Sequence, residues 1–468
     1  MVTPTPSASS RVLRLAVLPI LLASAGCASL TQTDYAAPSL PVEAAWSEQP
    51  GGVSAQQTGP WWDEFNDSEL SALVDRVLTE NADLAAAGTR LKQARLSADL
   101  ATSQLLPSLS ANLSNGVSKT FDSGISWNES ASGSLGASWE VDLFGRLDSE
   151  RDAAGWEAKA TEQDLAATRL ALAGTTVSAW WQLAYVNERI ALSEQSLVYT
   201  RKILDLTTRQ HEAGEVSRLD ISEAEQSLAT QEASLTQLKQ SRVETRNALA
   251  ALLGRQVYDG PERLALPVEQ LPAVDAGIPA ELLARRPDLA AAELRLRKTL
   301  ATSDATVASY YPRLSLTGAL GTTSDTLLAY LANPVATIGA ALSQTVLNPD
   351  RIRLGTKIAR ADYEVAVDQF RQTFYDALRD TGNALSAREH YLTQGQAIAR
   401  NLAASQDAET LYARQYAAGQ VALRSWLDAQ ERLRSAEASA AENRLNQLNA
   451  QVALHQALGG DATTVPGA

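Results

Sequence analysis

The feature that most constrains this chain is a repeat. Its two halves align at one constant shift of 205 residues, without a gap, from about 83–254 onto about 288–459. Asp83-Leu-Ala-Ala-Ala falls on Asp288-Leu-Ala-Ala-Ala, Pro107-Ser-Leu-Ser on Pro312-Arg-Leu-Ser, Arg146 on Arg351, and Ala213-Gly214 on Ala418-Gly419. Scattered identities arise by chance, but one offset held over so long a span marks a tandem duplication. Both halves must therefore fold to one plan.

The plan is legible from periodicity. A helical stretch (about 67–105, and 280–309) stops before Pro107 or Pro312, because proline cannot continue a helix. A hairpin region follows. Ala131, Gly133, Leu135, Ala137, Trp139, Val141 and Leu143 alternate with small or polar residues, which predicts a strand with one apolar face. Ile338, Ala340, Leu342 and Val346 repeat the pattern, and Leu109, Ala111, Leu113 and Leu314, Leu316 lead into it, giving four strands per chain. Proline-free helical runs then cover about 147–213 and 351–418. At 1.5 Å per residue each makes a rod of roughly 100 Å. Leu183, Ile190, Leu197 and Leu204 recur every seventh residue, as in helices that pack along their length. Gly214 and Gly419 suit left-handed C-caps, and a further helix returns to Gly254 or Gly459.

The first 26 residues read as a secretory signal: Arg11 and Arg14 give a short positive region, and Leu13 to Ala25 give an apolar core too short to span a bilayer. No later stretch is long and apolar enough for a membrane helix, so a membrane can be crossed only with strands. Four strands cannot close a barrel, whereas three copies pool twelve. The only cysteine, Cys27, follows the apolar core in LLASAGC (21–27) and has no disulfide partner. It is either a bystander thiol beside cleavage at Ala-Ser-Ala, or an acylated lipoprotein N-terminus; its position favours the second. Residues 27–60, with Pro38, Pro41, Pro50 and Pro60, read as a tether. The repeats are assigned to 61–277 and 278–460, and 461–468 to a tail. A formal charge of −14 disfavours nucleic acid as a partner.

The chain resembles the outer-membrane efflux proteins of the TolC type, especially the lipid-anchored OprM-like, NodT-like branch, over about residues 58–460. The likeness is carried by WWDEFNDSELSALVDRVLTENADLAAAGTRLKQAR (61–95), SWEVDLFGR (138–146), LLARRPDLAAAE (282–293), QYAAGQVALRSWLDAQ (415–430) and NRLNQLNAQVALHQALGG (443–460). It implies an α+β membrane channel: a homotrimer whose twelve-stranded β-barrel continues into a long α-helical barrel. It also implies a passive duct for drugs or other small toxic compounds, fed by a periplasmic adaptor and an inner-membrane pump of the proton-driven RND class. The expected location is the outer membrane of a Gram-negative cell. Two other readings stand beside it: a type I protein-secretion channel of the same fold, and a coiled-coil structural lipoprotein without a pore.

By the same resemblance, the turns holding Gly214, Glu215, Val216 and Gly419, Gln420, Val421 are the periplasmic tip that touches the adaptor. The OprM-like pattern places an acidic residue two past the second glycine; here Val421 stands there, so Asp220, Glu223, Asp428 and Glu431 are left as possible gate residues, each beside the reading of a solvated surface charge that its kind more often has. Arg285, Arg286 and Asp288 are expected to fix a helix start at Pro287. Asp142 and Arg146 are expected to shape a strand-to-helix crossover. Trp61 and Trp62 are read either as interfacial aromatics or as residues packed under the equatorial belt, with packing favoured. His211, His390 and His455 are too dispersed for a metal site. No phosphate loop, nucleophile elbow or HExxH helix occurs, so neither a cofactor nor catalysis is expected. Radiolabelled palmitate should enter the wild-type chain and be absent from Cys27→Ser; a mature, unlipidated protein beginning elsewhere would refute the lipoprotein reading.

Overall fold

The computed structural model describes residues 31–41, 46, 60–120, 126–272, 274, 285–324, 334–344 and 348–460; the signal sequence, Cys27 and the C-terminal tail lie outside them. A 3-10 turn, Trp61–Phe65, opens this series. Helices α1 (Ser68–Glu80) and α2 (Ala82–Ser103) follow, then strands β1 (Ser108–Thr120) and β2 (Ser126–Val141). Helices α3 (Arg146–Glu212) and α4 (Arg218–Leu252) complete the first half. The second half repeats this order as α5 (Pro287–Ala308), β3 (Arg313–Ser324), β4 (Pro334–Ser343), α6 (Pro349–Ala417) and α7 (Leu423–Ala457). The bounds of α5 and α7 are those of α2 and α4 moved by the same 205 residues, so the duplication holds at the level of helix ends.

Two compact units are present. The first contains Thr89–Gln163, Ala290–Thr373 and the N-terminal segment up to Leu40. Its centre is an antiparallel sheet in the order β1-β2-β3-β4, so β1 and β4 are edges. The alternation seen in the sequence sorts the two faces: Leu109 pairs with Ala137, Leu135 with Leu320, and Leu316 with Ala340 on one face. Ser110–Gly136 and Ser134–Gly321 pairs lie on the other. Leu109, Leu113, Leu135, Leu320 and Leu342 are all more than half exposed, and Ile338 is 95% exposed. A sheet that turns this much aliphatic surface outward has no place in water. Where β2 ends, Asp142 accepts from the backbone N–H groups of Arg146 and Asp148, both at 2.8 Å. The Arg146 guanidinium clamps Glu140 and Glu150, so Asp142 and Arg146 shape the strand-to-helix crossover, as expected.

The second unit holds Pro41–Gly88, Asp164–Leu289 and the chain from Phe374 onward. Its core sets Trp61, Leu70, Leu73 and Val77 against Trp180, Trp181 and Leu183 of α3, with Leu249, Leu448 and Val452 from the returning helices. Trp61 and Trp62 are buried edge-to-face at 5.7 Å, and Trp61 stacks on His455 at 5.0 Å. Burying each such ring contributes roughly 2–3 kcal/mol. Arg286 grips Asp288 through two hydrogen bonds at the start of α5. In this unit the heptad leucine Leu183 is fully buried and Leu197 nearly so.

The structure corrects one expectation. The stretch 67–105 is two helices, broken at Asn81. The Asn81 carboxamide oxygen accepts from the N–H groups of Asp83 and Leu84, and its amide donates to Leu252 O at 2.8 Å. A side chain that caps the next helix while holding the end of α4 outweighs helix continuation.

Asp67 is the corresponding anchor for α1. It caps the Glu69 and Leu70 N–H groups, accepts from Trp180 Nε1 at 3.1 Å and pairs with Arg263 at 2.8 Å. Asp67→Ala removes a cap and leaves a buried indole N–H without its acceptor. It should lower stability by roughly 2–4 kcal/mol, read as a lower temperature of thermal unfolding, whereas Ser71→Ala should be nearly silent.

Candidate functional site

The two long helices end in the same device. Gly214 and Gly419 have φ values of +78° and +67°. Gly214 N–H donates to His211 O and Glu215 N–H to Gln210 O; Gly419 N–H donates to Tyr416 O and Gln420 N–H to Gln415 O. This is the paired closure of a Schellman turn, which satisfies carbonyls that the ending helix would leave bare. A Cβ at either glycine would meet nothing within 4 Å, so the requirement for glycine here is conformational and not steric. Glu215 and Gln420 are exposed, while Val216 and Val421 are partly covered. His211 Nδ1 lies 2.9 Å from Val216 O and ties the first turn to its own helix.

The four carboxylates singled out from the sequence fall in different environments. Asp220 caps α4, accepting from the Ser217 N–H at 2.8 Å and the Ser217 hydroxyl at 2.6 Å. The Ser217 hydroxyl in particular holds its pKa below the ordinary carboxylate value. The ionised cap therefore supports the start of α4 at neutral pH, and that support is lost as pH falls through the lowered pKa. Glu223 pairs with Arg424 at 2.9 Å, joining α4 to α7. Glu431 pairs with Arg434 on its own helix. Asp428 is exposed, with no ion pair among the described residues.

An aromatic cluster behind the turns escaped the sequence reading. Tyr416 and Trp426 stack at 5.1 Å, and Tyr199 meets Trp426 edge-on at 5.7 Å. Trp426 Nε1 donates to Glu409 at 3.0 Å, and the Tyr416 hydroxyl donates to Gln210 at 2.7 Å. Burial, reinforced by Glu409, pushes the Tyr199 hydroxyl up to about 12, and burial also raises Tyr416. Both phenols thus stay protonated and able to donate. With Ile203, Ala224 and Leu423 the cluster binds the first-half helix pair to the second-half pair. A signal existed: Tyr416, Trp426 and Glu409 stand where the first repeat has His211, Ile221 and Leu204.

Of the other histidines, His390 Nδ1 lies near Ser386 O and His455 is buried against Trp61. Among the described residues no helix is long and apolar enough to cross a membrane, and no group of His, Cys, Asp and Glu could hold a metal ion. What remains is a sheet with an exposed aliphatic face, joined to helices of 67 and 69 residues. These are the parts of an α+β membrane channel that crosses the bilayer with strands.

Comparison with known proteins narrows this class to a family. The outer membrane efflux protein family matches the chain twice, over residues 73–255 and 278–460. A pyoverdine export outer membrane protein, OpmQ of Pseudomonas putida, is 30% identical over 459 residues, covering 95% of this chain and 97% of that one. The toluene efflux pump outer membrane protein TtgC of Pseudomonas putida is 31% identical over 470 residues, covering 96% and 95%. The solved structure of the outer-membrane channel OprN superposes with a TM-score of 0.83 at 29% identity, covering 92% of this chain and 99% of that one. The chain belongs to the outer membrane efflux protein family. It is an outer-membrane efflux channel of the TolC/OprM type, with the α+β channel fold of that family.

Gly214→Val and Gly419→Val should strain their turns by roughly 1–2 kcal/mol each. Hydrogen exchange should quicken over about 210–220 or 415–425 only, with the rest of the chain protected as in wild type; loss of protection throughout would mean that the turns hold up the fold itself.

Proposed function

We propose that the chain is the passive exit duct of a tripartite pump. Three copies pool their strands into a twelve-stranded barrel, and their long helices continue the passage through the periplasm. The observation that carries this reading is the sheet. Its exposed aliphatic face suits lipid, its Ser, Thr and Gly face suits a watery lumen, and its two open edges require neighbours. Nothing in the duct supplies energy or breaks a bond. A periplasmic adaptor and an inner-membrane pump of the RND class deliver the cargo, and the channel contributes only a path.

The adaptor contact is assigned to Gly214, Glu215, Val216, Gly419, Gln420 and Val421, the exposed turns of the two long helices. Asp220, Glu223, Asp428 and Glu431 are assigned to the charged neighbourhood of the closed end. Asp428 is the leading gate residue, because Asp220 caps a helix and Glu223 and Glu431 are ion-paired. Cys27 carries the lipid, with residues 27–60 as tether. The named relatives are a pyoverdine export protein and a toluene efflux pump protein, which supports small organic compounds as cargo.

Deleting the gene should raise intracellular accumulation of at least one dye, solvent or antibiotic, with restoration by the wild-type chain. Gly214→Val/Gly419→Val, present at normal levels in the outer membrane, should fail to restore export and should lose co-purification of the adaptor. Full export by that double variant would reduce the turns to simple helix caps.

A further inference from the structure

We propose that Lys119, held over the ring of Trp127 at the end of the sheet far from the helices, is a contact for a phosphate group of lipid A in the outer leaflet of the membrane. The inference rests on the channel reading above, in which the aliphatic face meets lipid, and adds to it the chemistry of the lipid that the rim takes.

The register of the sheet fixes which side chains share the aliphatic face. Lys119 stands opposite Trp127, Val117 opposite Glu129 and Leu113 opposite Gly133, all on the face of Leu109 and Leu135. Helices adjoin the Ser108 end of β1 and the Val141 end of β2, so Lys119 and Trp127 occupy the opposite, outward end. Two indoles bracket the face. Trp139 lies near the helices, its Nε1 donating to Leu105 O at 2.9 Å, and Trp127 lies at the outward end, 64% exposed. The strand between them rises ~40 Å, which at the usual tilt of barrel strands becomes roughly 30 Å of membrane depth. Tryptophans at that separation on a lipid-facing surface mark the two membrane–water interfaces.

Charge is distributed to match. Of the charged side chains in the described strands, only Lys119 and Glu129 stand on the aliphatic face; Glu140 and Arg313 belong to the other. A charge on the lipid side costs most at the depth of the acyl chains and little at an interface, so this pair lies at the edge of the hydrocarbon. The Lys119 ammonium sits 5.0 Å from the centroid of the Trp127 ring. A lysine at this level keeps its stem on apolar surface and carries its ammonium to the headgroups. In the outer leaflet of a Gram-negative outer membrane those headgroups are the phosphorylated sugars of lipid A. An ammonium held against an indole still has N–H donors to offer a phosphate oxygen. Glu129 lies one row, about 7 Å, nearer the helices, so the phosphate is assigned to the side of Lys119 away from it. The second repeat does not copy the device, since Ser324 and Ala332 stand at the repeat positions of Lys119 and Trp127. The contact therefore belongs to the first hairpin, whose β2 continues outward past Ala131, where its described pairing with β3 ends.

The test is native mass spectrometry of the full-length protein, released in detergent and titrated with bisphosphorylated lipid A. Lys119→Gln should retain about five-fold less lipid A than wild type. Lys119→Arg should retain as much, and Glu129→Gln should lose none. Lipid A stripped of both phosphates should bind wild type and Lys119→Gln alike. Millimolar inorganic phosphate should not displace the phosphorylated lipid, which separates a lipid headgroup from a free ion. Lys159→Gln is the control: Lys159 lies over Trp156 at 4.4 Å on α3, away from the sheet, and its loss should leave retention unchanged. Equal retention by wild type and Lys119→Gln, both inserted in liposomes, overturns the contact and leaves the channel reading standing. A difference that survives removal of the phosphates overturns it too, because the lysine would then act on some other part of the lipid. Should Lys119→Gln fail to assemble, wild type alone decides: undiminished retention of the phosphate-free lipid overturns the contact. If wild type retains no lipid, and lipids brominated in their acyl chains quench none of its tryptophans, the lipid-facing sheet and the channel reading fall together with the contact.

Discussion

The rest of this structure depends on the unpaired backbone of β1 and β4. A strand edge in hydrocarbon leaves N–H and C=O groups without water or protein partners, at several kcal/mol for each group. The sheet offers lipid a convincing face and two unacceptable edges, so one chain is an incomplete object in a membrane. Any arrangement that satisfies the edges must bring in other strands. Copies of the same chain are the economical source of those strands.

Duplication explains why so little sequence specifies so large a structure. Each half contributes one hairpin, one very long helix and one returning helix, and the second half reuses the helix ends of the first except at the start of α6, Pro349, two residues ahead of the position that the repeat gives it. The halves then diverge where a single chain must differ from its own repeat. Ala153 and Ala160 are small where α3 meets α5 inside the chain, and Ile358 and Val365 are larger where α6 is left uncovered. Near the turns, Tyr416 and Trp426 replace His211 and Ile221 and bind the two helix pairs through an aromatic stack. Divergence between repeats is thus a map of where the two halves do different work.

The strands were legible because period-two alternation survives even in sequences rich in Ser, Gly and Ala, and the long helices because nothing in nearly 70 residues could stop them. The caps at Gly214 and Gly419 were legible because a left-handed turn leaves few residues to choose from. The break at Asn81 was not, since asparagine is tolerated inside helices and its role is set by a carbonyl of Leu252, far away in the chain. The gate candidates were readable only as charges. Their partners, Ser217 for Asp220 and Arg424 for Glu223, sit on the folded surface, and pairing with them is what separates Asp428 from the rest. The aromatic cluster was hidden for a different reason: Tyr199, Tyr416 and Trp426 lie far apart or out of phase along the chain, and only the packing of four helices brings their rings together.

The claim that four strands per chain are closed by like chains is tested most directly by the mass of the intact particle. Native mass spectrometry of the full-length protein, released from detergent, should give a particle of three chains of 50.0 kDa, apart from signal removal and any lipid. A particle of one chain, stable and membrane-inserted, would contradict the account, because its edges would have to be satisfied in a way this sheet does not provide.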